Sequence, residues 1–143
     1  MDKLVVVFGS NWKFFSVFIK LFTWSKWCHC GVVDGEYIID TTLLTGGRRI
    51  LINEWVTHYR KYETLVFPVD DKEARLEYAR SRVGLPYDKK GILSFIFNKD
   101  LDEKQKDFCS ELVANTLGIK YKAWSLSPQY LYRLGQCLKG WAV

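Results

Sequence analysis

Cys109 stands in the segment Asp107-Phe108-Cys109-Ser110-Glu111-Leu112-Val113. Cys109, Leu112, Val113, Thr116 and Leu117 recur at the spacing of one helical face. With Asp107 as the cap, the cysteine falls in the first turn of that helix. Free backbone N–H groups and the positive end of the helix dipole favour a thiolate there. The same N–H groups would hold the oxyanion that forms when a carbonyl is attacked. The chemistry to expect is nucleophilic attack by sulfur on a carbonyl carbon.

A sulfur nucleophile needs a base. The chain has two histidines, His29 and His58. His29 lies in the strand-like run Trp27 to Val33, and Asp34-Gly35 signals a hairpin turn. Glu36 to Thr41 reads as the partner strand. Counting outward from the turn makes His29 and Asp40 cross-strand neighbours. A carboxylate beside an imidazole fixes its tautomer and stabilises its charged form. Cys109, His29 and Asp40 are therefore the candidate nucleophile, base and orienting acid. Singly, each has an ordinary reading as a small core residue, a strand histidine or a strand-end acid. Their combination carries the functional one.

A metal site at Cys28-His29-Cys30 is the weaker reading. A strand turns Cys28 and Cys30 to one face and His29 to the other. No second cysteine pair completes a tetrahedron. No metal and no cofactor are expected, and Cys28 and Cys30 read as buried strand residues. Cys137 and His58 have no assigned role.

The elements that must position these residues follow from local pattern. Leu4 to Phe8 is a short apolar run, expected as a buried strand. Ser10 or Asn11 can cap a helix running through Phe22. Gly46-Gly47 marks a turn, and Arg49 to Ile52 a short strand. Asn53 starts a short helix or irregular segment holding Trp55 and His58. Thr64 to Val69 is a further strand. Asp70 with Glu73 resembles a capping box, and Leu76, Ala79 and Val83 keep helical spacing up to Gly84. Gly91 to Phe97 is a short apolar helix or turn. Gly118 closes the cysteine helix. Ser127-Pro128 starts a last helix that ends near Gly135. Hairpins between separated helices predict an α+β domain with a mainly antiparallel sheet packed against helices. One domain, residues 1–143, is expected.

Taken together, these blocks resemble the permuted NlpC-type cysteine peptidases, the YiiX-like and lecithin:retinol-acyltransferase-like branch of the papain fold. Ser16 to Thr23 is similar to the family's first helix. His29-Cys30-Gly31-Val32-Val33 is similar to its H-x-G-[IV]-[IV] strand, and Glu36 to Asp40 to the strand after it. Gly84-Leu85-Pro86-Tyr87-Asp88 resembles its G-x-x-Y-[DS] stretch. Phe108 to Val113 resembles its C-S-E-[LF]-V nucleophile helix, and Ser127-Pro128 with Tyr130-Leu131 its closing helix. The resemblance spans most of the chain, and the C-S-E-L-V block is its most specific part. It implies a circularly permuted papain-like (NlpC-type) fold, because His29 precedes Cys109. It implies Cys109 as nucleophile, His29 as base and Asp40 as the orienting residue. Tyr87 and Ser110 would belong to the substrate cleft. The implied activity is a cysteine peptidase or amidase acting through an acyl-enzyme on a peptide, amide or acyl-ester substrate, with cell-wall peptide as one example. A lipid acyltransferase or thioesterase of the same fold is the alternative. So is a non-catalytic module of a virus particle, with an assembly partner.

Composition narrows the rest. The net charge is +5, and the basic residues are scattered rather than striped, so no nucleic-acid partner is expected. Trp12 to Trp27 is the most apolar stretch, shorter than the ~20 residues a membrane span needs. It reads as an internal amphipathic helix; membrane contact through residues 12–27 is the less favoured reading. No secretory signal precedes the four cysteines. A cytoplasmic protein with free thiols is expected, with a virion-associated role by analogy alone.

Overall fold

A computed structural model describes residues 1–10, 26–42, 45–85, 101–120 and 126–139. Of residues 101–108 it describes the backbone only. The helix expected through Phe22, the Gly91 to Phe97 segment, Tyr87 and most of the 12–27 stretch lie outside the described residues.

Five strands form one antiparallel sheet: β1 (Asp2–Ser10), β2 (His29–Asp34), β3 (Tyr37–Thr42), β4 (Gly46–Leu51) and β5 (Lys61–Val69). Their spatial order is β4-β3-β2-β1-β5. The described helices are α1 (Ile52–Thr57), α2 (Lys72–Ser81), α3 (Leu101–Leu117) and α4 (Pro128–Lys139). The architecture is α+β, as the pattern of hairpins and helices implies.

Alternation along the strands builds two apolar faces. Leu4, Val6, Phe8, Cys30, Val32, Leu65, Phe67 and Val69 are buried on one face. Leu76 of α2, Cys109, Val113, Ala114 and Leu117 of α3, and Leu131 and Tyr132 of α4 cover them. Val7 and Ile38 point the other way, where Trp55 of α1 packs with Val33, Ile50 and Tyr59.

Several boundaries differ from expectation, each for a physical reason. Asp34 pairs with Tyr37, so the turn residues are Gly35 and Glu36 rather than Asp34 and Gly35. Gly35 takes the left-handed conformation at φ 60°, which favours glycine. Asp34 stays inside the strand, buried, and binds the Arg80 guanidinium of α2 at 2.8 and 2.9 Å. Gly46-Gly47 is part of β4 and not a turn. The bare Gly47 backbone meets the end of α2: the Gly84 N–H donates to its carbonyl at 2.9 Å. A Cβ on Gly47 would collide with the Arg82 carbonyl. The cap of α2 is Asp71, whose carboxylate accepts from the Ala74 N–H at 3.0 Å. Asp70 instead receives Arg75 at 2.8 and 3.0 Å. Ser127 caps α4 as expected, accepting from the Tyr130 N–H at 3.1 Å. Helix α4 runs past Gly135, because that glycine marks a close approach to Phe67 and Leu65, not a stop.

Candidate active site

The site is assembled at the start of β2. His29 opens that strand and Asp40 lies in the middle of β3. The two strands pair with Val32 opposite Ile39, which sets Gly31 opposite Asp40. His29 is thus a diagonal neighbour of Asp40 on the same face, two residues from the direct position. Its Nε2 still meets Asp40 Oδ2 at 2.8 Å. Gly31 leaves the space between them clear: a Cβ there would lie 3.2 Å from the Asp40 Cβ and 2.7 Å from Ile38.

Asp40 is fully buried and fully partnered. Besides His29, it accepts from Arg48 Nε at 2.7 Å, Arg48 Nη2 at 3.1 Å and Trp55 Nε1 at 2.9 Å. Burial alone would raise its pKa. Hydrogen bonds from His29 and Arg48, with their positive charge, outweigh burial and hold the carboxyl down at about 2. A buried carboxylate survives only with such partners. Arg48 is next to Asp40 by construction, since β3 and β4 pair these two residues directly.

Aromatic rings fix the imidazole. The Tyr59 ring lies 5.7 Å from that of His29, within 5° of parallel, and Trp55 lies 6.2 Å away. Trp55 and Tyr59 pack on each other at 4.2 Å. Gly9, paired with His29 across β1 and β2, makes room for this stack. A Cβ at Gly9 would come within 2.6 Å of Tyr59 and 2.9 Å of Trp55.

Cys109 approaches from the other side. It packs with Cys30 in the main core and is 4% exposed. At the start of β2 the Cys109 thiol and the His29 imidazole are coupled by charge and a side-chain hydrogen bond. Nε2 of His29 is taken by Asp40, which leaves Nδ1 for the sulfur. Burial disfavours the imidazolium, but Cys109 as thiolate and Asp40 together raise the His29 pKa to about 10. The Cys109 thiol is held well below its ordinary value. The hydrogen bond from the Cys30 thiol contributes most; His29 and the Cys30 backbone add to it against the cost of burial. Both shifts favour the thiolate–imidazolium form of the pair.

One expectation is corrected. Helix α3 starts at Leu101, not Asp107. Leu, Glu, Lys and Gln upstream of Asp107 are strong helix formers and extend it. Cys109 is therefore in the helix interior, where its backbone N–H is engaged within the helix. The helix end supplies neither the thiolate's stabilisation nor an oxyanion donor. Cys30 and His29 supply the former. The apolar face itself holds: Cys109, Leu112, Val113, Thr116 and Leu117 are all buried. Ser110, expected at the cleft, is also fully buried.

No protein-family model matches the chain. No curated protein matches it either. Among solved structures it is similar to the metalloprotein yiiX from Escherichia coli O157:H7, with a TM-score of 0.57 and 20% identity. The match covers 94% of this chain and 81% of that one. The chain has the yiiX fold. The likeness agrees with the YiiX-like resemblance of the sequence blocks, and at this identity it establishes fold alone. Among the described residues no three His, Cys, Asp or Glu side chains are placed to hold one ion. At Cys28-His29-Cys30 the three side chains diverge. Cys28 donates to the Gly9 carbonyl at 3.4 Å, His29 binds Asp40, and Cys30 faces Cys109. No helix of the described residues is long and apolar enough to cross a membrane.

Arg48, Trp55, Tyr59 and Cys30 complete the site, and the sequence alone gives none of them a role in it. Arg48 had a usable signal, since it lies one hairpin beyond Asp40. The aromatic pair had none beyond its nearness in sequence.

Proposed function

We propose that this chain is a cysteine hydrolase of the permuted papain-like kind, cleaving amide bonds of peptides. The observation that carries the reading is the hydrogen bond of His29 to a buried Asp40 that Arg48 and Trp55 anchor, with Cys109 electrostatically coupled to the same imidazole. The yiiX fold supports it, as does the order of histidine before cysteine.

In this reading the Cys109 thiolate attacks the substrate carbonyl carbon. A C–S bond forms and the carbonyl π electrons move to oxygen. The tetrahedral intermediate collapses and the C–N bond breaks. The imidazolium of His29 gives its Nδ1 proton to the leaving amine. Neutral His29 then takes a proton from water, which attacks the Cys109 thioester. The acid is released, and thiolate and imidazolium are restored. Asp40 keeps Nε2 protonated throughout, so Nδ1 is the nitrogen that exchanges the proton. Tyr87 would help shape the cleft.

The test is a panel of peptide amide, ester and thioester substrates assayed with the wild-type chain and Cys109→Ala. The reading expects amide turnover that the variant loses while keeping its circular dichroism spectrum. Turnover that survives Cys109→Ala overturns it. Turnover of acyl esters alone favours the acyltransferase or thioesterase alternative.

A further inference from the structure

The Asp40 carboxylate serves two cationic side chains at once. Its Oδ1 accepts from Arg48 Nε at 2.7 Å. Its Oδ2 accepts from His29 Nε2 at 2.8 Å, Trp55 Nε1 at 2.9 Å and Arg48 Nη2 at 3.1 Å. Guanidinium and imidazole therefore meet on one oxygen of a side chain with no exposed surface. The Arg48 side chain is itself 25% exposed, so solvent screens this contact little. Other titratable groups face the pair. Tyr59 stacks on the imidazole, Cys109 of α3 couples to it, Cys28 and Cys30 adjoin it in sequence, and exposed Glu54 of α1 lies near Arg48. Burial keeps the Tyr59 phenol neutral, and Arg48 holds its charge at any working pH.

We propose that Arg48 is a positioning residue of the hydrolytic cycle, one that balances the charge of Asp40 so that His29 stays free of its proton once Cys109 is acylated. The proposal rests on the hydrolase reading and assigns a step within it. With Cys109 as thiolate and His29 as imidazolium, the cluster of Arg48, Asp40, His29 and Cys109 carries no net charge. Acylation removes the charge on sulfur as the C–S bond forms. His29 loses its proton to the leaving amine as the C–N bond breaks. The net charge is again zero, and neutral His29 is ready to take a proton from water. Without Arg48 the same acyl-enzyme would hold an uncompensated carboxylate in the core. A buried charge of that kind regains balance by keeping a proton on the nearest base. That base is His29, 2.8 Å away. A protonated His29 cannot activate water, and the thioester persists. Arg48 thus acts on deacylation more than on the attack by sulfur.

The experiment titrates His29 by NMR and then follows the acyl-enzyme. The chain has two histidines, so ring-labelled protein gives two imidazole signals, assigned with His58→Gln. Cys109→Ser stands in for the acylated state, because it carries no charge at residue 109. In that chain, with Arg48 present, His29 should titrate within about one unit of the ordinary 6.5. Adding Arg48→Met should raise the midpoint by at least about one unit, the usual effect of a close carboxylate left unshared. Arg48→Lys should restore it. With an activated ester at neutral pH, Arg48→Met alone should accumulate Cys109 acyl-enzyme, read by intact mass, and clear it faster as pH rises. Its kcat and KM should fall together by about tenfold, leaving kcat/KM in place, whereas a misplaced imidazole would lower kcat/KM. A Cys109→Ser chain whose His29 still titrates near 10 overturns the proposal with no Arg48 variant needed. So does an unmoved midpoint in the Arg48→Met chain. A chain that takes no acyl group from any substrate while its titrations follow the pattern removes the hydrolase reading, and the proposal with it. Titrations that break the pattern in a chain that does turn over overturn the proposal alone.

Discussion

Gly31, not His29, stands directly opposite Asp40. The imidazole reaches the carboxylate on the diagonal, and the missing side chain of Gly31 keeps that diagonal open. Placing the turn at Asp34-Gly35 predicts His29 directly opposite Asp40. The turn lies one residue later, at Gly35-Glu36. Moving a hairpin turn by one residue shifts the pairing by two. A shift of two preserves the face on which each side chain points. The pair therefore survives an error in the register that predicts it.

The diagonal contact has a kinetic consequence. Asp40→Asn keeps an acceptor for one donor but removes the negative charge that His29 and Arg48 share. The alkaline limb of the kcat/KM profile should lie near 10 in the wild-type chain and move down toward the ordinary histidine value of about 6.5 in the variant. Stability should fall as well, by about 3–5 kcal/mol, the usual cost of stripping one partner from a buried ion pair. A pH–rate profile with an unmoved alkaline limb would show that Asp40 has no hold on the imidazole.

Alkylation should rank the cysteines against their exposure. Cys137 is exposed and Cys109 is 4% exposed. Access alone predicts that Cys137 reacts first. The thiolate is the reacting form, however, and Cys109 holds that form far below its ordinary pKa. At pH 6 iodoacetamide should modify Cys109 first, and His29→Ala should slow that reaction at least tenfold. Peptide mapping over time distinguishes the sites; equal rates at Cys109 and Cys137 would leave the thiolate without support.

What the sequence makes legible here is what period and turn chemistry encode. The hairpin of β2 and β3, the buried face of α3 and the serine cap of α4 all rest on local pattern. The start of α3 was not legible, because Leu101 to Lys106 carries helix propensity without an apolar stripe. Local reading then took Asp107 for a cap. The turn reading of Gly46-Gly47 hid Arg48, since glycine serves both turns and close approaches. The Trp55 and Tyr59 shelf depends on α1 folding back over β3, a tertiary fact that no short window contains. Cys30 looked like a core residue, and it is one.

Gly9→Ala tests the shelf without replacing a titrating group. The new Cβ would meet Tyr59 at 2.6 Å and Trp55 at 2.9 Å, tighter than packed carbons allow. The rings must shift, and His29 is stacked on Tyr59. Overpacking of this kind costs about 1–3 kcal/mol. Urea unfolding should report that loss, and kcat should fall at least tenfold, because the imidazole moves with the rings it rests on. Gly35→Ala, at a turn with open space, is the comparison variant: it should lose stability through its φ of 60° but keep kcat. Equal kcat for the two variants would show that the shelf does not position His29.

The thiolate–imidazolium pair should also print a plateau on the stability–pH curve. His29 has its pKa raised on folding, to about 10. Its contribution is complete below the unfolded value of about 6.5 and is lost as pH rises through about 10. Cys109 has its pKa lowered on folding. Its contribution is complete above the unfolded value of about 8.5 and is lost as pH falls through the lowered one. Between about 6.5 and 8.5 the two slopes oppose each other. The folded pair holds one proton there, and so does the unfolded pair, so their joint contribution is flat. Below about 6.5 the unfolded chain binds the extra proton and stability falls. Above about 8.5 the unfolded chain has lost both protons and stability falls again. Cys109→Ser removes the thiolate, so stability should then decline with rising pH from about 6.5 if Asp40 still raises His29 alone, and the plateau should vanish. Melting temperatures measured from pH 5 to 10 for both chains decide it, and a wild-type curve that already declines steadily from pH 6.5 would mean that Cys109 folds as a neutral thiol.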